Sequence, residues 1–155
     1  MSMNPLEQLY QDIILDHSKR RVGAAELAGE PGEHEAQSHQ HNPLCGDDIQ
    51  LRARVGAGEL IEELAWQGDG CSISMASASV LSETLTGHTV GEFDAANEVF
   101  HELMRSRGKL AEQEDLEERL GDAAAFAGVS KFPARVKCAL LSWEAAKDAI
   151  TRAAS

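Results

Sequence analysis

Asn42-Pro43-Leu44-Cys45-Gly46-Asp47-Asp48-Ile49-Gln50-Leu51-Arg52-Ala53-Arg54-Val55 carries two signals in succession. From Ile49 the chain alternates strictly, with Ile49, Leu51, Ala53 and Val55 on one side and Gln50, Arg52 and Arg54 on the other. That period of two is a strand with one face buried. Gly56-Ala57-Gly58 supplies a turn, and residues 60–67 pair back as a second strand, giving a hairpin. Residues 35–41 are read as a third strand, although their side chains are polar. Just upstream of the alternation, Cys45 and Asp47 stand two positions apart around Gly46. In an extended segment such residues share a face, so a sulfur and an oxygen can point at one metal ion, with Gly46 relaxing the backbone between them.

Working outward, the other elements are helical. Asn4 before Pro5, with Glu7 three positions on, is a helix start. Leu6, Leu9, Tyr10, Ile13 and His17 follow at helical spacing, and the helix ends near Lys19 to Arg21. Gly and Glu then dominate to Glu33, a mobile loop. Beyond Cys71 a Ser- and Ala-rich helix runs to Thr86 and stops at Gly87. Thr89 with Glu92 is a capping box opening a helix whose inward side is Phe93, Phe100, Leu103 and Met104. Residues 112–122 are acidic, with little apolar periodicity beyond Leu116 and Leu120, and read as a short helix or a solvated loop. A last helix covers residues 133–153. Without internal repeats or a linker, the expectation is one α+β domain over residues 1–155, a small antiparallel sheet packed against helices.

With 155 residues and 43% hydrophobic content, the chain can bury a core without crosslinks. Its 3 cysteines do not suit a secreted disulfide framework and fit a reducing cytoplasm. No basic-then-apolar leader and no long apolar run is present, so a soluble, untargeted protein is expected. A net charge of -12 argues against nucleic acid, which is bound through clustered Lys and Arg. An acidic surface suits a basic partner or simply keeps the protein soluble.

The cysteines lie at 45, 71 and 138. Cys71 follows Gly68-Asp69-Gly70 and opens a helix, and Cys138 lies in the first turns of the helix that Pro133 begins. Near helix N-termini, unsatisfied amides favour the thiolate. Three thiolates and the Asp47 carboxylate would complete a tetrahedral shell of the kind zinc accepts, soft sulfur favouring zinc or an iron–sulfur cluster over magnesium or calcium. Arg135 and Lys137 are then candidates to offset its excess negative charge. The competing reading is that each cysteine is a small buried apolar residue, since no CxxC pair is present. His39 or His41 can also stand in for Asp47 as fourth ligand, whereas His17, His88 and His101 read as surface or packing residues. The run from Ser72 to Ser79 lacks a GxSxG nucleophile turn and reads as small residues letting a helix pack closely against the sheet. Gly68 and Gly70 are too few for a phosphate loop.

Four blocks in order resemble SufU, the zinc-containing branch of the IscU- and NifU-like scaffold proteins: Leu9-Tyr10-Gln11-Asp12-Ile13-Ile14-Leu15-Asp16-His17; Asn42 to Asp47; Gly68 to Ser79; and Gly128 to Trp143. The resemblance implies the IscU-type, SufE/NifU-like fold, with Cys45, Asp47, Cys71 and Cys138 as ligands of Zn2+. It implies a sulfurtransferase in which Cys45 accepts persulfide sulfur from a SufS-type, pyridoxal-phosphate-dependent cysteine desulfurase, for iron–sulfur cluster assembly by the downstream SUF machinery. In the mechanism proposed for the family, a desulfurase histidine displaces Cys45 from zinc, and Arg135 matches an arginine that steers the released thiolate. The protein is expected to be monomeric alone and to meet a desulfurase dimer.

IscU-type scaffolds carry a histidine directly before the last cysteine, where this chain has Lys137. That residue and the long insert before Cys138 favour sulfur transfer. Ser18-Lys19-Arg20-Arg21 departs from the aromatic and Asn-Pro residues common after His17. Two alternatives use the same ligands: a scaffold holding a transient iron–sulfur cluster, and a structural zinc adaptor that stimulates the desulfurase without carrying sulfur.

Overall fold

A computed structural model describes residues 4–44, 46–111 and 113–155. The sheet has order β1-β2-β3 and is antiparallel throughout, with β1 at Glu35–Asn42, β2 at Asp47–Val55 and β3 at Ile61–Asp69. The alternation along β2 is realised as read, with Ile49, Leu51, Ala53 and Val55 buried. β1 is a strand despite its polarity because its inward positions hold small Ala36 and Ser38, while outward Gln37 accepts from Arg52 Nη2 at 2.8 Å. β3 begins at Ile61 rather than Leu60. Its register slips where Arg54 faces Glu63 but Val55 faces Ile61, so Glu62 is the extra residue of a bulge. The slip lets Ile61 and Leu64, three apart, both enter the core.

Five helices among the described residues complete the α+β fold: α1 Pro5–Arg20, α2 Ser72–Leu85, α3 Val90–Arg105, α4 Leu116–Leu120 and α5 Pro133–Ala154. The Asn4 side chain caps α1 by accepting from the Glu7 amide at 2.8 Å. The inward side of α1 differs from its sequence reading: Leu6 and Leu9 are 46% and 51% exposed, and His17 is the buried residue. The capping box on α3 forms, and Phe93, Phe100, Leu103 and Met104 are its buried residues. Phe100 stacks on Trp143 of α5 with centroids 4.3 Å apart. The acidic segment resolves into α4, held by buried Leu116 and Leu120, and a 3-10 stretch, Gly121–Lys131.

α5 lies across β1 and β2, and α2 runs between α1 and α5 while touching β3. Small residues therefore bring α2 close chiefly to helices, where the sequence suggested the sheet. Its serines are hydrogen-bonded inside: Ser77 to the Ala139 carbonyl at 2.6 Å, Ser82 to the Leu64 carbonyl at 3.0 Å. The glycine- and glutamate-rich segment, expected as a mobile loop, is instead tied to β3 by Trp66 N–H to Gly23 O at 3.0 Å and Ala25 N–H to Trp66 O at 2.8 Å. Main-chain bonds need no particular side chains, which is why composition gave no sign of them.

Candidate metal centre

The inward face of β2 does not stop at Ile49. Continuing the period of two places Asp47 on the same side, with 0% exposure. A buried carboxylate needs donors. Here Asp47 Oδ1 accepts from the Cys71 amide at 2.9 Å and Oδ2 from the Ser74 hydroxyl at 2.6 Å. Cys71 is the N-cap of α2, and Ser74 lies in its first turn, so the start of this helix is built around the Asp47 anion. Gly70 makes the approach possible, since a Cβ there would stand 2.4 Å from Asp47 Oδ1. Gly68 similarly passes the β2 backbone where a Cβ would meet the Asp48 carbonyl oxygen at 2.1 Å. These are clearance glycines.

Cys138, fully buried on α5, completes the cluster: one ligand atom from each of Asp47, Cys71 and Cys138 lies within 4.8 Å of the other two. Burial opposes ionisation of the Cys71 thiol. Hydrogen bonds from the Ser74 hydroxyl and amide and from Cys138 outweigh it and the nearby Asp47 charge, and they hold this thiol below its ordinary value. Two sulfurs and one carboxylate oxygen, drawn from three elements, fit a thiophilic divalent metal such as zinc with one position left for a further ligand.

Cys45, assigned to that position from sequence, lies outside the described residues. Its neighbours frame the loop: Asn42 Oδ1 accepts from the Leu44 amide at 3.2 Å and Asn42 O from the Gly46 amide at 2.8 Å. The buried Asn42 Nδ2 has no acceptor among the described residues. His39 and His41 do not reach the cluster. They sit on the opposite face of the sheet and engage Asp48.

Arg135 and Lys137 are exposed at the start of α5. Arg135 lines a cleft of about 810 Å³, together with Tyr10 and Ile14 of α1, Ile73 of α2 and Phe132. Sequence reasoning passed over Ser74 and Gly70 as members of the site. It also passed over the buried link from His17 Nδ1 to Ser79 Oγ, 2.8 Å, which pins α1 to α2 behind it. A histidine one turn after Ile13 and Ile14, facing a serine-rich helix, was the available signal.

The profile of the NifU-like N-terminal domain family matches residues 9–151. A zinc-dependent sulfurtransferase, SufU of Bacillus subtilis, is 36% identical over 153 residues, covering 98% of this chain and 97% of the relative. An iron–sulfur cluster assembly scaffold protein, IscU of Streptococcus pyogenes, is also 36% identical, over 100% of this chain and 91% of that one. The solved structure of FiSufU, from the SUF system of thermophilic Fervidobacterium islandicum AW-1, superposes with a TM-score of 0.72 at 30% identity, covering 93% of this chain and 98% of that one. The chain, whose buried Asp47 and Cys138 converge with half-buried Cys71 at the starts of two helices and the end of a three-stranded sheet, belongs to the NifU-like N-terminal domain family of iron–sulfur cluster assembly proteins.

Proposed function

We propose that this protein is a zinc-dependent sulfurtransferase that takes persulfide sulfur from a SufS-type cysteine desulfurase and passes it to iron–sulfur cluster assembly. The convergence of Asp47, Cys71 and Cys138 carries the reading, because it supplies a soft, mostly sulfur ligand set beside the loop of Cys45. Asp47, Cys71 and Cys138 would hold zinc with Cys45. Zinc, when bound, keeps cysteine sulfur as thiolate at neutral pH. Transfer then requires the Cys45 thiolate to attack the terminal sulfur of the partner's persulfide. A new S–S bond forms at Cys45, the partner's S–S bond breaks, and the partner cysteine leaves as a thiolate. Gly46, with φ 72, sits in the left-handed region and gives this loop a turn that side chains resist. Arg135, exposed on the wall of the cleft, would steer the released thiolate, the role the family resemblance implies for it.

The scaffold reading draws on the equally similar Streptococcus relative. Lys137 weighs against it: the resemblance sets it where IscU-type scaffolds carry a histidine, and this exposed lysine, when charged, offers no lone pair. The deciding experiment measures metal content and intact mass of the purified protein before and after incubation with a pyridoxal-phosphate-loaded cysteine desulfurase and cysteine. One zinc per chain and one added sulfur on Cys45 are expected. Absence of zinc, with an iron–sulfur chromophore forming under anaerobic iron, would replace this reading with the scaffold.

A further inference from the structure

Asn42 ends β1 on the inward face of the sheet, only 7% exposed, and the register sets it directly opposite Asp47. Opposed residues of an antiparallel pair share a face, so the Asn42 side chain stands beside the ligand cluster. Both of its oxygens are committed. The main-chain oxygen accepts from the Gly46 amide at 2.8 Å, and Oδ1 accepts from the Leu44 amide at 3.2 Å. The second bond also fixes how the side-chain amide is turned, because the Leu44 N–H requires the oxygen end. That leaves Nδ2 as a buried donor with no acceptor among the described residues. An unpaired buried N–H is costly, and it calls for a partner that the fixed elements do not supply.

The preformed trio has no need of this donor. Asp47 Oδ1 and Oδ2 are served by the Cys71 amide and the Ser74 hydroxyl. The Cys71 sulfur lies 3.5 Å from Ser74 Oγ and is hydrogen-bonded to Cys138. The remaining sulfur of the ligand set belongs to Cys45, three residues after Asn42 and between the two residues joined by the Asn42–Gly46 bond. We propose, resting on the reading of Cys45 as metal ligand and sulfur acceptor, that Asn42 is a positioning residue whose Nδ2–H donates to the Cys45 sulfur when that cysteine takes the fourth place. Three thiolates and a carboxylate give the centre excess negative charge, and Arg135 and Lys137, exposed at the start of α5, offset it only from the surface. An N–H held in the interior by β1 serves the sulfur from the buried side, where no water replaces it.

The test uses the full chain, labelled with nitrogen-15 and loaded with cadmium-113, a thiophilic NMR-active stand-in for zinc. A hydrogen bond from N–H to metal-bound sulfur transmits scalar coupling. A correlation between cadmium and one Asn42 side-chain amide proton is therefore expected, with that proton moved downfield of its metal-free position. In N42A, circular dichroism should be unaltered and zinc affinity about ten-fold lower. Absence of the Asn42 correlation while the Cys45 β-protons couple to cadmium overturns the proposal, as does undiminished zinc affinity in folded N42A; the spectrum of the parent chain decides even if N42A fails to fold. If the Cys45 β-protons show no coupling either, the reading of Cys45 as a ligand fails and the proposal with it. Absence of sulfur uptake in the desulfurase assay, with both couplings present, rejects the sulfurtransferase reading alone and leaves the hydrogen bond standing.

Discussion

Ser74→Ala isolates the contribution of one hydroxyl to the metal centre. The Ser74 hydroxyl donates to Asp47 Oδ2 at 2.6 Å where both side chains are fully buried, so no water replaces it. A hydrogen bond to a charged group contributes about 2 kcal/mol, and for a chain of this length that corresponds to a fall in Tm of about 4–8 °C. Melting of the metal-free protein, followed by circular dichroism, reads this directly. Zinc affinity, measured by competition with a chromophoric chelator, should fall by about 10–100-fold, the usual effect of removing a group that orients a ligand. Ser77→Ala is the control. That serine donates to the Ala139 carbonyl and accepts from Trp143 Nε1 at 3.1 Å, so its loss lowers Tm without reaching Asp47. If Ser74 only solvates the carboxylate, zinc becomes the missing partner in the variant and binds as well or better. Affinity equal to or above that of the parent would show that Ser74 does not orient Asp47.

Gly70→Ala should weaken zinc binding more than Ser74→Ala, because its Cβ would stand 2.4 Å from Asp47 Oδ1 and push the carboxylate off its seat; chelator competition at matched folded fraction compares them. In the metal-free protein, iodoacetamide should alkylate Cys71 with a pH midpoint below that of an ordinary thiol, as mapped by peptide mass. Because this pKa is depressed on folding, Cys71 ionisation contributes stability that is fully present above the ordinary thiol value and lost as pH falls through the folded value. Melting temperatures collected across that window should therefore rise with pH. Cys45→Ala should abolish sulfur uptake in the desulfurase assay; persistence of the added mass on the variant would move the acceptor to another cysteine, whereas retained stimulation of turnover with zinc still bound would identify a structural adaptor.

Much of the fold was legible because it rests on local periodicity. The alternation from Ile49 to Val55, the Thr89–Glu92 capping box and the Phe93–Met104 stripe each encode burial within a few residues. What was hidden depends on partners distant in sequence. His17 looks like an ordinary surface or packing residue until Ser79, on another helix, supplies its hydrogen bond. The stretch before Glu33 looks mobile by composition, yet backbone bonds from β3 fix it. Leu6 and Leu9 fit a helical period and still face outward, since α1 packs on α2 through the side carrying Tyr10, Ile14 and His17.

Asp47 shows how the two kinds of information meet. Its alternation with Ile49 argues for the core, and its charge argues against it. The charge is accommodated because the Cys71 amide and the Ser74 hydroxyl, both at the start of α2, converge on it. These donors are part of the folded backbone and its first helical turn, so they are in place whether or not a metal is bound. Cations on flexible side chains would have to be ordered each time. Fixed dipoles instead let the carboxylate remain buried beside two thiols in the metal-free chain, keeping these three candidate ligand groups assembled. If Cys45 is the fourth ligand, as the proposed function has it, a trio preformed on rigid elements is what such a centre must have for one sulfur to leave for reaction while the others keep their places.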